Sequence, residues 1–157
     1  MKRKIKIVVK SLIHILVFLM SSNGVAQKEK EDKYLDSIAK KIQFVKKEAV
    51  FRGGSLDALK EIISYIKDNN KYYLLECHTS REGLHEKNQI LTEEIAVKID
   101  RIMRNLGLDN SRFIVIGKGD RYPCCNTKTR YGRYLNRRVE IKEISEKELI
   151  KLKSSKQ

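Results

Sequence analysis

Two amphipathic stretches separated by short apolar runs limit this chain to few folds. Apolar side chains recur at helical spacing in residues 56–67 and 88–106, which predicts two helices that each bury one face. The runs typical of strands are residues 43–51 (a strand or a short hairpin), 72–77, 113–116 and 138–142. Strand–helix–strand units cross over right-handed and set their strands parallel. We therefore predict an α/β fold, a two-layer βαβαββ sandwich in which a small mixed sheet carries its helices on one face.

Residues that start or stop helices lie at the ends of these stretches. Gly53 and Gly54 break the first apolar run, and Ser55 is predicted to cap the first helix because its hydroxyl can accept a free backbone N–H. Gly107 is predicted to end the second helix. We interpret residues 117–135 as a loop and residues 145–157 as a charged tail with a helical turn or two.

The first 26 residues have the three parts of a secretory signal peptide. Residues 1–10 are basic, 11–20 are apolar apart from His14, and 21–26 are small and polar, which predicts cleavage before Gln27. An uncleaved membrane anchor is the alternative. A membrane span needs about 20 apolar residues, and this run is short and interrupted. We therefore favour export with cleavage.

The predicted organisation has four parts. They are a signal peptide at 1–26, a charged lead-in with a short helix at 27–41, a folded domain at 42–144 and a charged tail at 145–157. No segment after the signal is long and apolar enough to cross a membrane as a helix. The oligomeric state stays open.

The charge balance is strongly basic. The formal net charge is +14, and the chain after residue 26 carries 29 basic and 20 acidic residues. Such an excess attracts anionic partners, but export argues against nucleic acid and favours a wall polymer, lipid headgroups or an acidic protein. The alternative is a solvated basic rim. Basic and tyrosine side chains concentrate before the last strand: Arg121, Lys128, Arg130, Arg133, Arg137 and Arg138, with Tyr122, Tyr131 and Tyr134.

Three cysteines raise the question of a disulfide. We favour a Cys77 thiol buried in its strand; the alternative is that Cys77 bridges to Cys124 or Cys125 in an oxidising compartment. His78 and His85 form no zinc-type spacing with these cysteines, so we predict no metal site. His78 follows Cys77 directly, and adjacent strand residues point to opposite faces, which makes a catalytic Cys–His pair unfavourable.

Two sequence signatures carry a resemblance to a known family. The first runs Cys77-His78-Thr79-Ser80-Arg81-Glu82-Gly83, then Asn88, then Leu91-Thr92. The second comprises Gly117-Lys118-Gly119-Asp120, Pro123, Asn126-Thr127 and the continuous run from Gly132 to Ile141 that contains Asn136-Arg137-Arg138-Val139-Glu140. Together they resemble the OmpA-like C-terminal domains over about residues 42–144. The resemblance implies a periplasmic domain, outer-membrane associated through a partner, that grips peptidoglycan without cutting it.

In that family an Asp holds the ammonium group and an Arg holds the carboxylate of diaminopimelate in the wall peptide. This chain has Ser80 at the Asp position and Ile95 at the Arg position, so we expect an altered ligand mode. Ile95 also falls within the apolar stripe of its helix, where it is expected to be buried.

The resemblance implies a set of peptidoglycan-binding residues and of substitutes for the two lost charges. The matching positions are Thr79, Asn88, Arg137 and Arg138; the substitutes are Glu82 as an acceptor and Arg81 or Arg133 as a cation. Asn88 is alternatively a helix cap, and Asn136 is expected to order the loop before the last strand. No catalytic residue, cofactor or metal is predicted.

Two other functions stay open from the sequence. The first is a protein-interaction scaffold of an envelope complex whose ligand groove is degenerate, which would show no affinity for purified wall. The second is a small thiol-dependent or hydrolytic enzyme, which a reactive thiol of low pKa would indicate.

Overall fold

The computed structural model describes residues 25–156. The predicted signal peptide therefore lies almost wholly outside the described residues. The chain divides into two compact units, Met1–Tyr34 and Leu35–Gln157. In the first unit the described residues, 25–34, are helical.

Helices and strands alternate through the second unit largely as predicted. The elements are α1 (residues 25–39, of which the second unit holds the end), α2 (Ser55–Lys67), β1 (Tyr72–His78), α3 (His85–Asn105), β2 (Phe113–Gly119), α4 (Arg130–Asn136), β3 (Arg138–Ile144) and α5 (Glu146–Ser154). None of the described helices is both long and apolar enough to span a bilayer.

The described strands form one mixed sheet in the order β2-β1-β3. β1 pairs with β2 in parallel and with β3 antiparallel, so Leu75 lies between Val115 and Ile141. Because β1 is central, its backbone is hydrogen-bonded on both sides, and all but its first residue are buried. The predicted α/β class and mixed sheet are confirmed.

The prediction of a full strand at residues 43–51 is wrong, and the short-hairpin alternative describes this segment better. Phe44 and Phe51 form a single antiparallel bridge. Lys47 at the turn has a φ of 61°, a left-handed conformation that ends strand pairing. The named strands of the described chain are therefore three, with the hairpin held to the core by the buried Phe44 ring.

The main core fills the space between one face of the sheet and helices α2 and α3. Alternate residues of the strands point into it, because successive strand side chains face opposite sides. The end of α1 adds Leu35 and Ile38 to the same core, which therefore begins before residue 42. Its fully buried large side chains include Tyr73, Leu75, Phe113, Ile62, Ile66, Ile95, Ile99 and Met103.

Ser55 does not cap α2 as predicted. Gly54 takes the cap position with a φ of 84°, and no side chain caps this helix. The Ser55 side chain is instead buried, where it accepts the N–H of Gln43 at 3.0 Å and donates to the Gln43 carbonyl at 2.9 Å. Ser55 therefore ties the hairpin to α2.

One helix, α4, was not predicted, and another, α5, was predicted only as a helical turn or two. α4 overlaps the end of the predicted loop and is capped by Thr129, whose hydroxyl accepts the N–H of Gly132. α5 lies within the predicted tail, capped by Ser145. Leu149 of α5 packs with Leu74 and Ile114 on the sheet face opposite the main core. The helices are thus not confined to one face, and the tail is part of the fold.

Candidate functional site

Side chains from distant parts of the chain contact the carboxylate of Glu82. Its Oε2 accepts a hydrogen bond from the Ser80 hydroxyl at 2.7 Å and lies 3.5 Å from Arg137 Nη1. Its Oε1 lies 2.7 Å from Lys46 Nζ and 3.3 Å from Arg133 Nε. We call these five residues, Lys46, Ser80, Glu82, Arg133 and Arg137, the Glu82 cluster.

The loops that follow β1 and α4 hold the Glu82 cluster in place. The N–H of Thr79 donates to the Gly119 carbonyl at 2.9 Å, which fixes the loop after β1 against the end of β2. α4 carries Arg133, and Arg137 directly follows this helix. The Arg137 guanidinium lies 6.0 Å from the centre of the Tyr134 ring, a cation–π distance that orients it.

Three cations face one carboxylate in the Glu82 cluster, so a surplus of positive charge remains. Burial raises the pKa of the Glu82 carboxyl, but hydrogen bonds from Lys46 and Ser80 outweigh it, and the pKa lies below its ordinary value. Burial lowers the pKa of Arg137, although the Glu82 charge opposes this. Glu82 is therefore ionised at neutral pH, and the cluster can accept a further anionic group.

Asn88 belongs to a neighbouring polar group built around Asp120. The Asn88 amide donates to Asp120 Oδ2 at 2.9 Å, and His85 Nδ1 lies 2.6 Å from Asp120 Oδ1. Asp120 is buried, so these two partners satisfy a carboxylate that burial would otherwise destabilise. The helix-cap interpretation of Asn88 is wrong, because Leu84 is the cap residue of α3.

Arg138 points away from the Glu82 cluster, to the outer face of the sheet. It donates to Glu140 Oε1 at 2.8 Å and to the Tyr122 carbonyl at 3.2 Å. It belongs to a group that lines a cavity of about 700 Å³, which we call the outer-face cluster: Glu76, His78, Lys118, Arg138, Glu140 and Lys142.

Glu76, His78 and Glu140 offer ligand atoms within 4.8 Å of one another, the spacing of a metal site. The Lys142 ammonium, however, lies 2.5 Å from Glu76 and 3.2 Å from Glu140. Lys118 adds a third contact at 3.1 Å from Glu76. Burial raises the pKa of Glu76, but Lys142 and Lys118 hold it below its ordinary value. These lysines already take the position of a cation, so the arrangement fits an ion-pair network better than a metal centre.

Comparison with known proteins identifies the family. The family model of the OmpA family matches residues 44–137, more than half of the chain. The chain belongs to the OmpA family. Among curated proteins it is 39% identical over 67 residues to the outer-membrane lipoprotein YfiB of Pseudomonas aeruginosa. That match covers 43% of this chain and 40% of the relative, so the chain corresponds to less than half of that protein.

Solved structures of similar fold come from cell-envelope proteins. The peptidoglycan-associated lipoprotein of Burkholderia pseudomallei has a TM-score of 0.61 at 18% identity, covering 66% of this chain and 88% of its own. The cell wall anchor of the type VI secretion system (T6SS) of Pseudomonas aeruginosa gives 0.55 at 23%, covering 63% and 72%. The C-terminal domain of Helicobacter pylori MotB gives 0.61 at 15%, covering 73% and 91%. These identities are low, so the structures establish the shared fold alone.

Compared with the OmpA-family pattern, the two substituted positions have different surroundings. Ser80 lies in the Glu82 cluster, where its hydroxyl donates to Glu82. Ile95 is 0% exposed and belongs to the main core, as its place in the apolar stripe predicted. α3 therefore contributes no cation from position 95, and the cations of the cluster come from Lys46, Arg133 and Arg137.

The site residues predicted from the OmpA resemblance lie in different parts of the structure. The fold brings Glu82, Arg133 and Arg137 into one cluster, whereas Arg138 faces the other side of the sheet and Arg81 is exposed. Thr79 and Asn88 are buried and hold neighbouring loops. No motif or spacing in the sequence marked Lys46 as a site residue. Asp120 lies within the second signature. It directly follows Gly119 and is the last acid before Glu140, and this is the sequence signal that could have identified it as a site residue.

The alternative disulfide from Cys77 to Cys124 or Cys125 is absent, and all three cysteines, which lie within the described chain, are free. Cys77 is buried in the main core, which confirms the favoured prediction. Burial raises the pKa of the Cys77 thiol, so this thiol is unreactive. His78 lies on the opposite face, where it contacts the Tyr122 ring edge-on, so the two do not form a catalytic pair.

Proposed function

We propose that this OmpA-family chain is a non-catalytic protein of the periplasm that binds peptidoglycan through the Glu82 cluster in an altered ligand mode. The observation that supports it most directly is the cluster itself. A carboxylate and two guanidinium groups meet where Ser80 has replaced the acid of the family motif. The relatives named as envelope lipoproteins and cell wall anchors support an envelope location.

The proposed ligand is the zwitterionic amino-acid end of a wall peptide, such as diaminopimelate. Arg137 and Arg133 would bind its carboxylate, since planar guanidinium groups match carboxylate geometry. Glu82 would accept its ammonium in place of the lost acid. The surplus positive charge of the cluster makes the carboxylate the better-held end.

Lys46 occupies the position proposed for the ligand ammonium. Its Nζ lies 2.7 Å from Glu82 Oε1, and its side chain is 55% exposed, so it can move into solvent when a ligand enters. An exposed ion pair is worth about 0.2–1 kcal/mol, which a hydrogen-bonded ligand ammonium can replace. Lys46 therefore acts as an internal competitor that weakens binding.

Sedimentation with intact peptidoglycan tests the proposal, at low and physiological salt and with or without free diaminopimelate. We expect the protein to pellet and free diaminopimelate to release it. Glu82→Gln and Arg137→Gln should abolish the diaminopimelate-sensitive fraction, which is the bound protein that free diaminopimelate releases. Lys46→Met should strengthen binding by up to about fivefold, the equivalent of the exposed ion pair it removes.

Arg81→Gln is the matched control, because Arg81 is a neighbouring exposed cation that lies outside the cluster. It should leave the diaminopimelate-sensitive fraction unchanged. If salt alone abolishes pelleting, and if Arg81→Gln and Arg137→Gln lose binding equally, the protein binds peptidoglycan through a nonspecific basic surface. That result would contradict the proposal.

A protein-interaction scaffold with a degenerate groove is the second candidate. The observation in its favour is that both oxygens of Glu82 already have partners within the chain. A groove whose polar groups satisfy one another has less to gain from a ligand. Absence of pelleting at every salt concentration would select this candidate and make a pull-down from envelope extract the next experiment.

A further inference from the structure

Two adjacent cysteines meet in the loop between β2 and α4. The Sγ atoms of Cys124 and Cys125 lie 3.0 Å apart, within hydrogen-bonding distance of each other. Cys124 is exposed and Cys125 is half-buried. We propose that Cys124 and Cys125 form a reversible redox modification site, which closes to a vicinal disulfide by exchange with a small disulfide donor.

A buried asparagine side chain holds the backbone of both cysteines. Asn136 is 0% exposed. Its Oδ1 accepts the N–H of Cys124 at 2.9 Å and that of Cys125 at 3.1 Å, and its Nδ2 donates to the Cys125 carbonyl at 2.9 Å. Three hydrogen bonds to one buried amide fix the backbone from which both thiols project. Asn136 thereby orders this loop, as the sequence predicted.

The far side of the loop is fixed as well. Gly132 of α4 packs so closely that a Cβ there would lie 1.9 Å from the Asn126 carbonyl oxygen. The Asn126 side chain accepts the N–H of Lys128 at 2.9 Å. With its backbone held at both ends, the loop keeps the two thiols together. A bridge between adjacent residues is strained, because their Cα atoms are only about 3.8 Å apart, closer than in an ordinary disulfide, so a reducing thiol opens it readily.

The third cysteine takes no part in this exchange. Cys77 is buried in the main core, whereas the Cys124 side chain lines the outer-face cavity and can be reached by a small reagent. Burial and the hydrogen bond from Cys125 raise the pKa of Cys124, although the Arg138 charge opposes this. Exchange should therefore be slow at neutral pH and accelerate as the pH rises, since the thiolate is the attacking species.

The exchange balances with glutathione disulfide as the oxidant. One cysteine thiolate attacks a glutathione sulfur, forms a mixed disulfide and expels one glutathione thiolate. The second cysteine then attacks the protein sulfur of the mixed disulfide and expels the other glutathione. Two protons and two electrons pass from the pair of thiols to the donor, which leaves as two glutathione thiols.

Mass spectrometry of the purified protein tests the site. The native reduced protein should take iodoacetamide on Cys124 and Cys125, with Cys77 reacting only after unfolding. After equilibration with glutathione disulfide, native alkylation should stop and the mass should fall by two hydrogen atoms. Trypsin releases residues 122–128 with both cysteines, separately from residues 72–81 with Cys77. The bridge should lie within 122–128, and excess reduced glutathione should open it.

Two variants and a second probe make the test decisive. Cys124→Ser should retain a stable glutathione adduct on Cys125, whereas Cys77→Ala should close the bridge as the unmodified protein does. Phenylarsine oxide, which requires two neighbouring thiols, should protect the reduced protein from alkylation but not Cys124→Ser. A cross-link between residues 122–128 and 72–81, or stable glutathione adducts on both cysteines without an internal bridge, would overturn the proposal.

Discussion

Position 95 gives a direct test of the claim that this chain cannot regain the family arginine by a single substitution. Ile95 is 0% exposed and packs in the main core. Replacing a buried isoleucine by alanine lowers the free energy of unfolding by about 2–5 kcal/mol. In Ile95→Arg the guanidinium must either be buried without a partner, at several kcal/mol, or force α3 away from the sheet. We therefore expect a loss of at least about 3–5 kcal/mol.

Urea unfolding followed by circular dichroism measures this loss. With a slope of about 1–3 kcal/mol/M, the midpoint should fall by roughly 2 M, and a domain of ordinary stability would be close to unfolding in buffer. Val97→Arg is the matched control, since Val97 lies on the same helix and is 49% exposed. It should change the free energy of unfolding by no more than about 0.5 kcal/mol.

One result would refute the reasoning about position 95. If Ile95→Arg is as stable as Val97→Arg and gains diaminopimelate-sensitive binding to peptidoglycan, then side chain 95 reaches the ligand. The assignment of side chain 95 to the core would then be incorrect.

Three further perturbations follow from the structure. Burial, with the nearby Arg138 charge, lowers the pKa of His78 to about 4. Below a pH of about 6.5, His78 binds a proton in the unfolded chain but stays neutral in the native protein. The free energy of unfolding should therefore fall as the pH drops from there to about 4, by at most about 3 kcal/mol. His78→Gln should flatten this part of a plot of the urea midpoint against pH. Gly132→Ala should cost about 1–3 kcal/mol because its Cβ meets the Asn126 carbonyl, whereas Gly53→Ala, which has nothing within 4 Å, should be neutral in thermal melts. Leu149→Ala should cost about 2–3 kcal/mol by loosening α5 from Leu74 and Ile114, and the exposed Ile150→Ala should cost little; equal effects would mean that α5 does not pack on the sheet.

Much of the fold could be read from local pattern. Helical spacing located α2 and α3, and short apolar runs located the three strands, because each element must turn one periodic face to the core. The same logic placed Cys77 and Ile95 in the interior. The ends of the helices were predicted less accurately, because they depend on contacts with other parts of the chain. Ser55, for example, has the chemistry of a cap residue, but its hydroxyl hydrogen-bonds the backbone of Gln43 instead.

The helix α5 was predicted only as a helical turn or two, although its sequence carries the signals of a helix. α5 has Ser145 at its start, acids in its first turn and lysines in its last, the charge order that suits a helix dipole. Its single buried residue, Leu149, gives too little periodicity to distinguish a docked helix from a solvated tail. Whether it docks depends on Leu74 and Ile114, which are distant in sequence.

The amino-acid sequence by itself determined the family and the order of the elements, and it led to the prediction that Ser80 and Ile95 replace the two family charges. These are properties of residue type and local spacing. The tertiary structure alone decided that Lys46, Arg133 and Arg137 meet at Glu82, that Arg138 faces the opposite side of the sheet, and that Cys124 contacts Cys125 rather than Cys77. The physical reason is that charged side chains and thiols act over a few ångströms, and only the packed sheet fixes which loops come that close.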